Sequence, residues 1–327
     1  MSIFEKAKHV DPKYQHLDKY VNIMYRGFWT PAKYEKLIKE VDVPHFFNAM
    51  GKVDQDVISK CILAISIVED KVKTYWSSLA LDIPQTIIGD VGGLFGMSEV
   101  THRRSYHSLA EYLDVDTDNL SKYDALKGRI EYLSKYVETD PKIIGKKRIL
   151  KKLVLFTSLV ERCSLFTQFY ILMSYAYRNR GLKTISALQE TTAIEEVTHY
   201  SFGIDLVNII KEEHPTMWDE YMVELVTDNI KVAYQSELNL IDWFFENGTP
   251  EHLTKEEVIN FLNYNFNVIS KDLGLDLTFE VNEELYRERN EWFTVKVFTT
   301  SEPDFFDQAV SGYASEEEEL DLDNFNF

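Results

Sequence analysis

The stretch 153–177, LVLFTSLVERCSLFTQFYILMSYAY, is apolar over a length that could cross a bilayer, yet it sets Glu161 and Arg162 side by side at its centre. Two charges at that depth argue against a lipid span and for a helix buried in protein. Burial then raises a demand, because an ionised carboxylate in a core costs several kcal/mol unless a countercharge or a metal meets it. Arg162 is badly placed to do so, since adjacent residues of a helix point in different directions. Whatever this chain folds into must bring something else to Glu161.

The rest of the chain is patterned for helices. Only 13 of 327 residues are glycine and 8 are proline, and the apolar residues recur at spacings of three and four. That pattern predicts an all-α bundle with very little sheet, its helices over 54–81, 88–113, 122–136, 146–178, 182–213, 215–247 and 254–273. The breaks fall at LDIPQT, DVDTDN, ETDPK, RNRG, EEHP, ENGTP and LGLDL. There is no solenoid repeat, and the glycines of DVGGLFGMSEV follow no strand, so no phosphate loop is expected. A hydrophobic share of 45%, with 13% aromatic, is enough for a thick core.

Charge and cysteine content narrow the function. The formal charge of −19 opposes nucleic-acid backbones and anionic membranes, so neither is an expected partner. The N-terminal MSIFEKAKHVDPKYQHLDKY has no apolar signal core, and Cys61 and Cys163 have no CxxC spacing. Both features fit a cytoplasmic protein with reduced thiols packed in its core. The folded domain is expected over 1–302. From Pro303 the helical pattern dissolves, and an acidic run from Glu316 to Asp323 leads to Phe325 and Phe327. The segment 303–327 has the composition of a flexible tail whose apolar hooks fold onto a partner.

A candidate partner for Glu161 lies in a repeated tetrapeptide. Glu-Val-Thr-His occurs at 99–102 and again at 196–199, each time inside a predicted long helix. Glu-x-x-His sets both side chains on one helix face one turn apart, where both reach a single ion. One such pair is expected by chance, at roughly one match for ordinary composition; here there are two, Glu99/His102 and Glu196/His199. A fourth apolar helix, CILAISIVEDKVKTYW, also carries acids at its centre, Glu69 and Asp70. Two helices with a carboxylate and two with Glu-x-x-His are the parts of a bundle-core dimetal site. Oxygen and nitrogen donors without thiolate suit iron or manganese, with open positions left for an oxygen species.

With these pieces in place, the chain resembles the small (beta) subunit of class I ribonucleotide reductase over essentially its whole length. The matching segments are FWTP, SEVTHRRSYHSL, VERCSLFTQFY, IEEVTHYSFG, GLDLTF, EWF and the tail SEEEELDLDNFNF. The resemblance implies a ferritin-like fold, a homodimer, and two metal ions per chain, iron first with manganese or a mixed pair as alternatives. It implies that Glu69, Glu99, His102, Glu161, Glu196 and His199 are ligands, Glu69 standing near where the family more often has aspartate. It further implies that Tyr106, seven residues beyond Glu99, becomes a stable radical, flanked by Leu165, Phe169 and Thr192. Trp29 of FWTP and Tyr313 of SGYAS match the family's radical-transfer residues. Glu195 stands where the family usually has an aspartate linking the histidine to the tryptophan. The implied partner is a large catalytic subunit that reduces ribonucleoside diphosphates, docked by the tail that starts at Glu316 and ends at Phe327. The competing readings are a dimetal oxidase or hydroxylase of the same fold, iron storage, and a purely structural helical protein.

Overall fold

The helix Thr86–Tyr112 turns Ile88, Gly92, Phe95, Glu99, His102, Tyr106 and Leu109 inward, in alternating steps of four and three. The helix Lys183–Glu213 does the same with Ile185, Gln189, Thr192, Glu196, His199, Gly203, Leu206 and Ile210. Steps of four and three keep one stripe of a helix facing one neighbour, so each Glu-x-x-His pair is carried into the core by the apolar residues around it. In Lys52–Val72 the buried stripe Ile58, Ile62, Ile65 brings Glu69 in with it. These three helices and the segment that carries Glu161 surround the centre of the molecule.

The computed structural model describes residues 2–298 apart from 8, 73, 118 and 119. All regular elements among the described residues are helical. No described helix is long and apolar enough to cross a membrane. Two of the expected helices are broken. The span 54–81 divides into Lys52–Val72 and Tyr75–Asp82. The span 146–178 divides into Lys147–Leu155, a π-helical segment Phe156–Cys163 and Phe166–Tyr177. The helix expected to start at 215 starts at Glu220, where the Asp219 carboxylate accepts from Met222 N. That expected over 122–136 is Asp124–Leu133.

Short helices outside the expected set lie toward both ends: Asp18–Arg26 and Ala32–Leu37 near the N-terminus, and Glu291–Phe298 at the other. The two N-terminal ones bury only Tyr20, Met24 and Tyr34, too few positions to show a period. The π-helical turn Ile38–Asp42 that follows them matters to the core nonetheless. Asp42, 2% exposed, accepts from Ile185 N at 2.7 Å and so caps the start of Lys183–Glu213.

Arg162 does not pair with Glu161. It is buried, donates to Asn265 Oδ1 and lies over the rings of Phe166, Tyr200 and Phe298. A separate buried pair, Arg129 with Glu237, ties Asp124–Leu133 to Glu220–Phe244, and Arg129 also donates to Ala64 O of Lys52–Val72. Cys61 and Cys163 are buried free thiols, as their spacing suggested.

One glycine sets a contact that the centre needs. A Cβ on Gly92 would fall 2.4 Å from Trp76 O, so only glycine lets Tyr75–Asp82 approach this closely. Gly92→Ala should cost about 1–3 kcal/mol of overpacking, against which ~1 kcal/mol of helix propensity is regained. A fall of a few degrees in Tm, together with altered Trp76 fluorescence, is the expected result in a thermal melt.

Candidate metal centre

Six side chains from four segments converge: Glu69, Glu99, His102, Glu161, Glu196 and His199, each no more than 1% exposed. They form two overlapping donor groups. Glu69, Glu99 and His102 make one, and Glu99, Glu161, Glu196 and His199 the other, with ligand atoms in each group within 4.8 Å of one another. Glu99 belongs to both. All six residues singled out in the sequence are therefore brought together. The side chain of Asp70, the alternative to Glu69, lies outside those described.

The two imidazoles present the same atom inward. His102 Nδ1 lies 3.0 Å from Glu196 Oε1, and His199 Nδ1 lies 3.1 Å from Glu99 Oε1, 3.2 Å from Glu196 Oε2 and 3.6 Å from Glu161 Oε2. Outward, His102 Nε2 is 2.6 Å from Glu195 Oε2, a contact that makes Nε2 the protonated nitrogen and leaves the Nδ1 lone pair for a cation. Both oxygens of Glu69 and Glu99 Oε2 have no hydrogen-bond partner, while Glu99 Oε1, Glu196 Oε1 and His102 Nδ1 meet only a facing group of the cluster itself. Orphaned acceptors in a dry core are costly, and so many facing one another point to a missing positive charge. Four carboxylates balance the charge of two divalent cations, so the residues present fit a dimetal pair.

The protonation of the centre tells the same story. Burial first, then the neighbouring carboxylates, pushes Glu69, Glu99 and Glu161 above the ordinary carboxylate range. Burial opposes charge on His102 and His199, yet the carboxylates facing them hold both well above the usual imidazole value. Glu196 alone goes down, since against its burial stand His199, Glu161 and His102. Groups held above their ordinary values keep protons on folding, so they stabilise the metal-free fold at low pH and cease to as pH rises through the raised values. Glu196 contributes in the opposite sense. A cation must displace the retained protons, so its affinity rises with pH. The Tm gap between metal-loaded and metal-free protein should widen from mildly acidic to mildly alkaline buffer, as followed by scanning calorimetry.

Around this centre the other expected residues fall into place unevenly. Tyr106 is fully buried one turn beyond His102, lines a small cavity with Glu69, and donates its hydroxyl to Gln189 Oε1 at 2.7 Å. Burial, then the Glu69 charge, raises its phenol well above the ordinary value. Leu165, Phe169 and Thr192 are buried too. Trp29, 5% exposed, donates Nε1 to Glu195 Oε2 at 2.9 Å, the same oxygen that meets His102 and accepts from Ser98 Oγ at 3.1 Å. The longer acid thus links the histidine to the tryptophan. Tyr313 and the tail from Glu316 to Phe327 lie outside the described residues.

Three residues of the surroundings went unread in the sequence: Gln189, Ser98 and Trp76, whose Nε1 donates to Glu161 Oε1 at 2.6 Å. Gln189 did leave a signal, standing seven residues before Glu196 on the same stripe. Trp76 left none, because it comes from a helix beyond a break the periodicity did not mark.

The model of the family described as ribonucleotide reductase, small chain, matches residues 7–286. The chain is 24% identical over 174 residues to a ribonucleoside-diphosphate reductase subunit beta of Chlamydia pneumoniae, a match spanning 52% of this chain and 47% of that protein. It is 23% identical over 239 residues to a protein of Invertebrate iridescent virus 3 named a probable ribonucleoside-diphosphate reductase small subunit, spanning 67% and 61%. The chain therefore spans about half to three fifths of the length of these curated relatives. Among solved structures, the ribonucleotide reductase R2 subunit of Clostridium botulinum superposes with TM-score 0.75 at 16% identity, over 91% of this chain and 94% of that one. The dimanganese(II) NrdF of Streptococcus sanguinis gives 0.71 at 15%, over 89% and 99%. An R2-like ligand-binding oxidase with a Mn/Fe cofactor gives 0.63 at 15%, over 80% and 95%. These likenesses establish the fold as a ferritin-like helical bundle with its carboxylate and histidine cluster in the core.

Proposed function

Since the chain belongs to the ribonucleotide reductase small chain family, we propose that it is the radical-generating subunit of a ribonucleoside-diphosphate reductase. Tyr106 carries this reading: a buried phenol in the same cavity as Glu69, on the inward stripe of the Glu99/His102 helix. In the proposal Glu69, Glu99, His102, Glu161, Glu196 and His199 hold two ions, iron first, with manganese or a mixed pair as the alternatives. The bound pair supplies one-electron oxidising power, gained from dioxygen or a reduced oxygen species.

The protein's own residues do the rest. Full burial of Tyr106 keeps water from the phenol. His102, Glu195 and Trp29 form a hydrogen-bonded line leading from the cluster toward the exposed Phe28. Along it, and onward through Tyr313, the oxidising equivalent passes to a large subunit that reduces ribonucleotides. The domain 1–302 generates the radical as one half of a homodimer, and the tail from Glu316 to Phe327 docks the large subunit.

The test is electron paramagnetic resonance with metal quantification after exposure to oxygen, where two ions and a tyrosyl signal per chain are expected. Deleting 316–327 should abolish reductase activity with the large subunit while both ions and the radical remain; loss of the ions would refute the docking role. A dimetal oxidase would instead turn over an organic substrate with no second subunit present.

A further inference from the structure

The two Glu-x-x-His helices cross the centre in opposite directions, as the Tyr106–Gln189 contact requires: the residue seven beyond Glu99 meets the residue seven before Glu196. Gln189 is fully buried, and its carboxamide is half used. Oε1 accepts the Tyr106 hydroxyl at 2.7 Å, and Nε2 has no hydrogen-bond partner. A buried amide donor left empty is costly, so a chain that keeps one there retains a donor for some other state of the site. A glutamine terminus offers both roles at one place, since a half-turn about its last bond exchanges oxygen for nitrogen.

We propose that Gln189 is the positioning residue of Tyr106 in both of its redox states, accepting from the phenol and, after turning over, donating Nε2–H to the phenoxyl oxygen. The inference rests on the radical reading above. On oxidation Tyr106 gives up one electron and its phenolic proton, and both end in the water formed from the oxygen oxidant. The oxygen left behind can only accept, and the Gln189 acceptor facing it becomes the wrong group. Turning the carboxamide over restores the hydrogen bond without moving the backbone. The other polar group by the phenol is the Thr192 hydroxyl, whose interaction with Tyr106 works against the rise caused by burial, which makes it the competing donor.

Two measurements test this. In the wild-type radical prepared in heavy water, electron-nuclear double resonance should find an exchangeable deuteron coupled to the phenoxyl oxygen. The coupling should vanish, and the largest g-value should rise, in Gln189→Leu and in Gln189→Met, while Thr192→Val keeps it. A coupling that survives in both Gln189 variants, or is lost in Thr192→Val alone, overturns the proposal. The second measurement needs no metal: the Tyr106 phenol band, isolated as the infrared difference between wild type and Tyr106→Phe in metal-free protein, should shift in Gln189→Leu. An unshifted band overturns the contact itself. A shifted band with two ions bound but no wild-type radical overturns the radical assignment of Tyr106 and the donor half of this proposal with it, leaving the contact standing.

Discussion

Glu99→Ala should empty the centre of both ions, whereas Glu69→Ala should remove one. Glu99 is the residue shared by the two donor groups, and Glu69 belongs to the first alone. Each ion held at a hundred times its dissociation constant stabilises the fold by about 2.7 kcal/mol, so Glu99→Ala forfeits roughly twice what Glu69→Ala does under loading conditions. In metal-free protein this difference should disappear, because it comes from the ions and burial pushes both carboxyls up. Burial has pushed the Glu99 carboxyl up, but its Oε1 lies 3.1 Å from His199 Nδ1, so removal relieves one cost and forfeits one contact, and the metal-free variant should melt close to wild type. Metal quantification with paired melts, loaded and stripped, reads both effects. Two ions retained by Glu99→Ala would refute the shared-ligand arrangement.

Tyr106→Phe should leave two ions in place, erase the radical signal and bring reductase activity with the large subunit to background. The substitution removes only a hydroxyl, and Phe fills the same fully buried volume. Its cost to stability comes from Gln189 Oε1, which loses its donor, an effect of about 1–3 kcal/mol. The variant should therefore melt a few degrees lower while binding metal normally. A radical signal unchanged by the substitution would place the stored oxidant elsewhere and sink the role given to Tyr106.

Much of the centre was legible because heptad-like spacing does two jobs at once. The steps of four and three that bury Phe95 and Leu109 also carry Glu99, His102 and Tyr106 inward, and Ile58, Ile62 and Ile65 do the same for Glu69. The same arithmetic applied to the second helix puts Gln189 and Gly203 on the ligand stripe at seven before and seven after Glu196. What it could not supply was direction. Only once the two helices are known to run antiparallel does Gln189, rather than Gly203, fall beside Tyr106.

The repeated Glu-Val-Thr-His, the acid at 161 in an apolar run and the acids near 69 determined by themselves that this chain is a helical bundle with a carboxylate and histidine cluster in its core. Buried charge is too costly to leave unmatched, so four such segments admit few arrangements. Tertiary structure alone decided the contacts between stripes and across breaks. These are Trp76 on Glu161 through the close approach at Gly92, Glu195 reaching both His102 and Trp29, and Gln189 on Tyr106. The π-helical turn Phe156–Cys163 belongs with them. A helical period fixes which way a side chain faces on its own helix, whereas a hydrogen bond between helices depends on their relative direction and distance, which packing sets.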